Sequence, residues 1–363
     1  MRNNDIRVLH TEWSDGWGGQ EIRIINEMKA LRNLGISVYL ACRQHSLIKR
    51  KAEENNIEVF VLPFRGNADL LTLSKLIRII KTYSIDIVNT HSGKDTWVGG
   101  LSAKLARVKF IRTRHLSNPI KESRLNFINE LADYIFTTGE NVKSNMIKNN
   151  RIKPEKIQSI PTGIDASFFD PVKFNKVECK KLFSINNDDI SIGIVAVLRQ
   201  FKRHDLFLKM AKDIIKRFPN KNFNFLIAGD GPQKESIISL IDELGLNKNV
   251  RLLGHVDQVP ELFSALDIVI LSSDSKEGVP QSVIQALMMN KSVVSTNSGS
   301  TSDLFHNNNF QLVETNSFEA LSSGVMHFLF DEQVVNSRDH IELNFSLEVM
   351  SKKIVSVYKG LLS

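Results

Sequence analysis

The sequence predicts an α/β protein of two domains, each built on a parallel sheet covered by helices on both faces. Three observations carry this. Short aliphatic runs alternate with amphipathic stretches along the whole chain, which favours parallel strand-helix units over an all-β or all-α fold. The alternation breaks at Pro161, Gly163 and the stretch DASFFDPVKF, then restarts near residue 190. The 363 residues are enough for two separate cores.

Element by element, the first half opens with a strand over 6–10, a long loop reading TEWSDGWGGQ, and a helix from about residue 21. Further strands are expected at 37–42, 58–62, 85–89, 109–113 and 134–137, with helices filling the gaps between them. The boundary is expected near 168–172, giving domains 1–169 and 170–346. In the second half the apolar runs 192–197, 223–227 and 266–271 read as buried strands, and another short strand precedes residue 253. Residues 347–363 carry Val349, Ile354, Val357 and Leu361 at helical spacing.

Charge is uneven. Residues 1–170 hold 26 Lys and Arg against 18 Asp and Glu, a net of +8, and residues 171–363 hold 21 against 22. Residues 101–125 alone carry seven basic residues and one Glu. Such an excess suits a phosphorylated substrate, an anionic membrane surface or solvated helix faces; the aromatic-interleaved and zinc motifs of nucleic-acid binders do not accompany it, so no nucleic-acid partner is expected. Cys42 and Cys179, one in each half, give neither a disulfide framework nor a metal set. No apolar run reaches the length of a spanning helix, and MRNNDIRVLH lacks the charged-then-apolar secretion pattern. A cytoplasmic protein is expected, peripheral at the inner face of the plasma membrane if residues 101–125 touch lipid.

Several short strings carry chemistry. Residues 277–286 read EGVPQSVIQA after the strand at 266–271. A carboxylate at a strand's C-terminal end, then Gly278, Val279, Pro280 and Gln281 at a helix start, make a ligand cradle. The helix end draws phosphate, Glu277 accepts from hydroxyls, and Gln285 lies about a turn further on. Gly18 and Gly19, between the first strand and first helix, let a ligand approach the backbone. Trp13 and Trp17 of that loop suit either stacking on a sugar ring or packing. Arg199 and Lys202, three residues apart at a strand end, suit a diphosphate, with Arg203 competing for the second role. His115 and His91 stand at successive strand ends, and Arg112 and Arg114 share a strand face turned to an acceptor phosphate or to solvent.

In order and spacing, IPTGID (160–165), VLRQFKRH (197–204), AGDGP (228–232), LGH (253–255) and EGVPQSVIQA resemble the family-4 retaining glycosyltransferases of the GT-B fold. The resemblance implies two Rossmann-like doubly wound domains facing a central cleft, with the last helix, 347–363, crossing back to the first domain. It implies transfer of a sugar from a nucleotide diphosphate sugar to a saccharide or lipid-linked acceptor. By the same resemblance Glu277 binds hydroxyls of the donor sugar, and His115 faces the bond being exchanged. Arg199 and Lys202 hold the leaving diphosphate with the Gly18-Gly19 loop beside it, and Gly254, His255 and Val256 read the base. The family's second Glu, which holds the ribose, is replaced here by Gln285, which keeps one carbonyl acceptor and loses charge.

No Asp-x-Asp pair occurs, so neither a metal nor a cofactor is expected, the nucleotide sugar being a substrate. The implied pathway is assembly of a bacterial surface polysaccharide or lipopolysaccharide. Two alternatives remain open: a GT-B nucleotide-sugar 2-epimerase, and a catalytically decayed nucleotide-sugar-binding protein, for which Gln285 speaks.

Overall fold

The computed structural model describes residues 6–115, 120, 127–274, 277–305, 309–330 and 336–363. Of the basic stretch 101–125, residues 116–119 and 121–125 lie outside the described residues. The chain divides into two compact units, Met1–Gly163 with Leu347–Ser363, and Ile164–Ser346. The division therefore falls ahead of the expected boundary at 169/170. The reason is packing: Ile164 bridges to Ser346, and Ile164 and Phe169 are buried in the second unit's core.

The first unit contains a seven-stranded parallel sheet. Its strands are β1 (Arg7–Glu12), β2 (Ser37–Cys42), β3 (Glu58–Val61), β4 (Ile87–Thr90), β5 (Lys109–Arg114), β6 (Tyr134–Thr137) and β7 (Ile157–Ser159). They lie in the order β3-β2-β1-β4-β5-β6-β7. The chain winds outward one way from β1 and the other way from β4, so β1 and β4 flank the switch point. In an open α/β sheet ligands bind outside the strands' C-terminal ends at that point. β1 runs two residues past the expected His10, because Thr11 and Glu12 continue the ladder with β2.

Both faces of this sheet are covered. One core gathers Ile24, Met28 and Leu31 of the helix Gly19–Asn33 with Met350, Ile354 and Tyr358 of the helix Leu347–Leu362. The other gathers Leu76 and Ile80 with Val98, Ala103 and Phe110. The C-terminal helix thus belongs to the first unit, and each of its fully buried apolar side chains contributes about 1.5–3 kcal/mol.

The second unit holds a six-stranded parallel sheet: β8 (Ile190–Val195), β9 (Phe223–Ala228), β10 (Val250–Gly254), β11 (Ile268–Leu271), β12 (Ser292–Thr296) and β13 (Phe310–Val313). The order β10-β9-β8-β11-β12-β13 puts its switch point between β8 and β11. β11, reading IVIL, is buried at every position, as a central strand covered on both faces requires. Leu266, expected inside that strand, instead caps the helix Val259–Ala265 and is buried in the core.

Candidate active site

Each unit carries a polar cluster at its switch point. In the second unit, the loops after β8 and β11 meet. Glu277 is buried, and its carboxylate accepts a hydrogen bond from Ser273 Oγ at 2.5 Å and pairs with Lys202 Nζ. Ser272 Oγ donates to the carbonyls of Lys202 (2.8 Å) and Arg203 (3.0 Å), and Thr296 Oγ1 donates to the carbonyl of Ser273 at 2.6 Å. The two loops and the end of β12 are thereby tied together.

Gly299 completes the cradle, and the sequence reading did not find it. Its φ is +57°, and a Cβ there would lie 1.7 Å from the carbonyl oxygen of Glu277. Only a glycine lets the 298–300 turn pass this close. The surrounding Ser298-Gly299-Ser300 string was a turn signal, but nothing in it pointed to a loop 22 residues upstream.

The expected donor-side residues are distributed as follows. Gly278 is half-buried; Val279 and Pro280 are buried, Val279 as part of the core, so its side chain packs rather than facing a ligand. Pro280 is the N-cap of the helix Gln281–Met288 and not a residue of its first turn, with Gln281 opening the helix. Gln285 is half-buried on that helix. Gly254 ends β10 at φ +68° and accepts from the Gly229 amide at 2.7 Å, His255 is exposed 3.3 Å from Asp257, and Val256 packs against the core.

Arg199 and Lys202 part company. Lys202 turns to Glu277, whereas Arg199 is exposed and lines a cavity of about 700 Å³ shared with Arg203, His204, Asp205, Gln233 and Asp274. Neither Lys202 nor Glu277 lines that cavity. Arg203 is held by Asp205 in two 2.9 Å bonds and by Asn316, which leaves Lys202 as the cation on Glu277.

In the first unit, three histidines stand in a row. Nδ1 of His10, on β1, lies 2.9 Å from Nε2 of His91, just after β4. Nδ1 of His91 lies 2.9 Å from Nε2 of His115, just after β5. The His115 carbonyl accepts from Thr138 Oγ1 at 3.1 Å. Burial is the main cause that holds all three imidazoles neutral, pushing His10 down to about 3; Arg23 and Arg112 lower His91 and His115 further.

Beside the row, Glu12 accepts from the Ser14 amide (2.7 Å) and Gln20 Nε2 (2.5 Å). Burial first, then Asp95, pushes its carboxyl up to about 8. Asp95 takes Thr11 Oγ1 at 2.5 Å and the His91 amide at 3.0 Å. Arg112 is not on a solvent face, as its alternation with Thr113 allowed; it is buried near Asp95 and Glu12, with Nε and Nη1 unpartnered among the described residues. Arg114 is half-buried, pushed down to about 10 by desolvation and by Arg112.

Gly18 is the N-cap of the helix Gly19–Asn33 in an extended conformation open to any residue, and the Gly19 position starts the helix. Trp17 is half-buried and packs against the first unit's core, in keeping with the packing alternative for this loop. Trp13 lies under Lys94, whose Nζ is 3.8 Å from the ring centre. The sequence reading missed His10, Glu12 and Asp95. Their signal was slight: polar residues continuing β1 past its apolar run, and an acidic residue three after Ser92.

Among the described residues, no group of three or more His, Cys, Asp or Glu side chains is placed to hold a metal ion. Nor is any described helix long and apolar enough to cross a membrane.

The Glycosyl transferases group 1 model matches residues 177–344, and the Glycosyltransferase Family 4 model matches residues 17–168. Among curated proteins, an Escherichia coli UDP-Gal:alpha-D-GlcNAc-diphosphoundecaprenol alpha-1,3-galactosyltransferase is 24% identical over 379 residues, covering 98% of this chain and 97% of its own. The Staphylococcus aureus capsular polysaccharide biosynthesis glycosyltransferase CapH is 24% identical over 375 residues, covering 97% and 98%. Among solved structures, a glycosyltransferase of Rickettsia africae ESF-5 superposes with a TM-score of 0.89 at 22% identity, covering 99% of each chain. Anabaena Alr3699/HepE in complex with UDP-glucose superposes at 0.84 and 18% identity, covering 98% of this chain and all of its own. Two parallel-sheet units with polar clusters at their switch points, matched almost end to end by these models and relatives, lead to one assignment: the chain belongs to the family-4 glycosyltransferases of the GT-B fold.

Proposed function

We propose that the chain transfers a sugar, with retention of anomeric configuration and without a metal, from a nucleoside diphosphate sugar to a saccharide or lipid-linked acceptor in surface glycan assembly. The observation that carries this is the Lys202–Glu277 pair at the switch point of the second sheet. Its two halves are complementary to the two ends of a sugar diphosphate. Glu277 accepts from sugar hydroxyls, and Lys202 donates to phosphate oxygens. In the free chain the two groups satisfy each other, and an arriving donor replaces both partners at once.

As the sugar–phosphate bond lengthens, negative charge grows on the diphosphate. Lys202 and the start of the helix Gln281–Met288 supply fixed positive potential for it, a role a metal serves elsewhere. Glu277 and Ser273 hold the sugar while its anomeric carbon becomes electron-poor. The basic excess of residues 1–170 and the diphosphoundecaprenol-linked sugar on which the E. coli relative acts support an acceptor bearing phosphate near an anionic membrane face.

The test is direct. Purified protein is incubated with UDP-sugars and lipid-diphosphate or free saccharide acceptors, and the product's anomeric proton is read by NMR. Retained configuration, with activity surviving EDTA, is expected. An inverted product overturns retention, and loss in EDTA restored by a divalent ion overturns metal independence. A changed sugar in the absence of acceptor assigns the chain to epimerisation instead.

A further inference from the structure

The three-histidine row of the first unit has a polarity that its burial decides. Three neutral imidazoles carry three N–H protons. Two are used inside the row, one in each 2.9 Å contact, and the third must sit at one end. At the inner end stands His10 Nε2, buried and without a partner among the described residues. At the outer end stands His115 Nδ1, on a half-buried ring whose other nitrogen is taken by His91. An N–H sealed away from any acceptor is rarer in folded proteins than an unpaired lone pair. The third proton therefore belongs on His115.

The row then reads in one direction: His10 Nδ1–H donates to His91 Nε2, His91 Nδ1–H donates to His115 Nε2, and the remaining N–H is on Nδ1 of the half-buried His115. The geometry suits in-plane donation, with the His10 and His91 ring planes 9° apart and those of His91 and His115 34° apart.

We propose that His10 and His91 are positioning residues that lock His115 in its Nδ1–H form, so that it serves a bound saccharide as a hydrogen-bond donor and not as a base. This rests on the sugar-transfer reading above. The charged groups around the row agree with it. Arg23, Arg112 and Arg114 bear on the rings and oppose a fourth proton. Of the carboxyls nearby, Asp95 bonds the His91 amide and Glu12 is engaged by Ser14 and Gln20, so neither is bonded to a ring nitrogen. A neutral donor aimed at a sugar oxygen orients that oxygen without removing its proton.

Nitrogen-15 NMR of the full chain labelled at histidine reads the tautomers near neutral pH, with His10→Asn and His91→Asn spectra supplying assignments. His115 protonated at Nδ1 and bare at Nε2 is the expected result. A bare Nδ1, or an imidazolium, overturns the proposal. In turnover, His10→Leu is expected to lower kcat about tenfold while the donor KM stays within about twofold, because a fixed donor acts on orientation more than on binding. His10→Asn, whose amide N–H replaces the lost donor, should recover most of that loss; equal kcat in Leu and wild type, or an Asn variant as poor as Leu, overturns it. If His10→Leu does not fold, the wild-type spectrum alone decides. An Nδ1–H His115 in a chain that transfers no sugar upholds the row and removes the functional reading instead.

Discussion

Replacing Gly299 by Ala puts the whole cradle to the test with a single carbon. The added Cβ meets three atoms of one residue, all main chain: Glu277 O at 1.7 Å, C at 2.5 Å and Cα at 3.0 Å. No flexible side chain stands there to swing aside, so relief requires one of the two loops to move. Holding an alanine at φ +57° costs about 1–2 kcal/mol in addition. For a unit of this size, each kcal/mol lowers Tm by about 2–4 °C, so the backbone cost alone predicts a fall of roughly 2–8 °C. Displacing Glu277 also breaks its bonds to Ser273 and Lys202. Losing one charge-assisted hydrogen bond to substrate, worth about 1.5–3 kcal/mol, lowers kcat/KM about tenfold to a hundredfold. Gly245→Ala is the control: φ is +71° but nothing lies within 4 Å of the added carbon. That variant should show the thermal loss and keep its activity. Calorimetry and initial rates on both proteins separate backbone cost from collision. A Gly299→Ala enzyme as active as Gly245→Ala would refute the claim that this contact holds Glu277 in place.

Other perturbations reach the same cluster from different sides. Glu277→Gln should keep the fold and lower turnover by about tenfold to a hundredfold, since the amide accepts from hydroxyls without charge; unchanged rates would take the carboxylate out of the site. Lys202→Ala should weaken UDP binding by isothermal calorimetry more than Arg199→Ala does, because only Lys202 pairs with Glu277; the reverse order would move the phosphate to the 700 Å³ cavity. Gln285→Glu should be tolerated in the donor KM, and Gln285→Ala should raise that KM more than it lowers kcat, as for a contact far from the breaking bond. Stability should reach a maximum near pH 6.5, fall toward pH 8 and level off above it. Below 6.5 the unfolded chain protonates His10 and His91 while the folded chain holds them neutral. Each therefore contributes a loss of up to about 1.4 kcal/mol per pH unit as pH falls, down to about pH 3 for His10. Glu12 acts oppositely: between its unfolded value of 4.5 and its folded value near 8 the folded carboxyl keeps a proton that the unfolded chain has lost, so its contribution falls by up to about 1.4 kcal/mol per pH unit across that window and changes no further above 8. Thermal melts across pH 5–9 check both limbs, and a curve flat below pH 6.5 would mean the histidine row takes up protons while folded.

What was legible in the sequence followed from periodicity and from punctuation. β11 and the Glu277 loop were found because a fully buried strand is a continuous apolar run ending at Gly and Pro. β7 was missed because its three residues, IQS, bury only Ile157, too little to stand out from a loop. Arg112 shows another limit. Alternation fixed which face of β5 it takes, but whether that face meets water depends on what covers it, and Asp95 arrives from the helix Gly93–Ala106. The His10–His91–His115 row depends on the order β1-β4-β5, which brings residues 81 and 24 positions apart into hydrogen-bond contact. Sheet order is a property of the crossovers and leaves no local mark on the strands themselves.

The placement of the helix Leu347–Leu362 in the first unit has a consequence for biosynthesis. As the chain emerges, all seven strands of the first sheet are made by residue 159, yet the groove for Met350, Ile354 and Tyr358 stays open. Residues 164–346 must be translated in between, which at about 5–20 residues per second takes roughly ten to forty seconds. The second unit, contiguous in sequence, can close as soon as Ser346 is clear of the ribosome. The domain made first is therefore finished last, and for that interval it exposes an apolar seam to chaperones that the mature protein does not have.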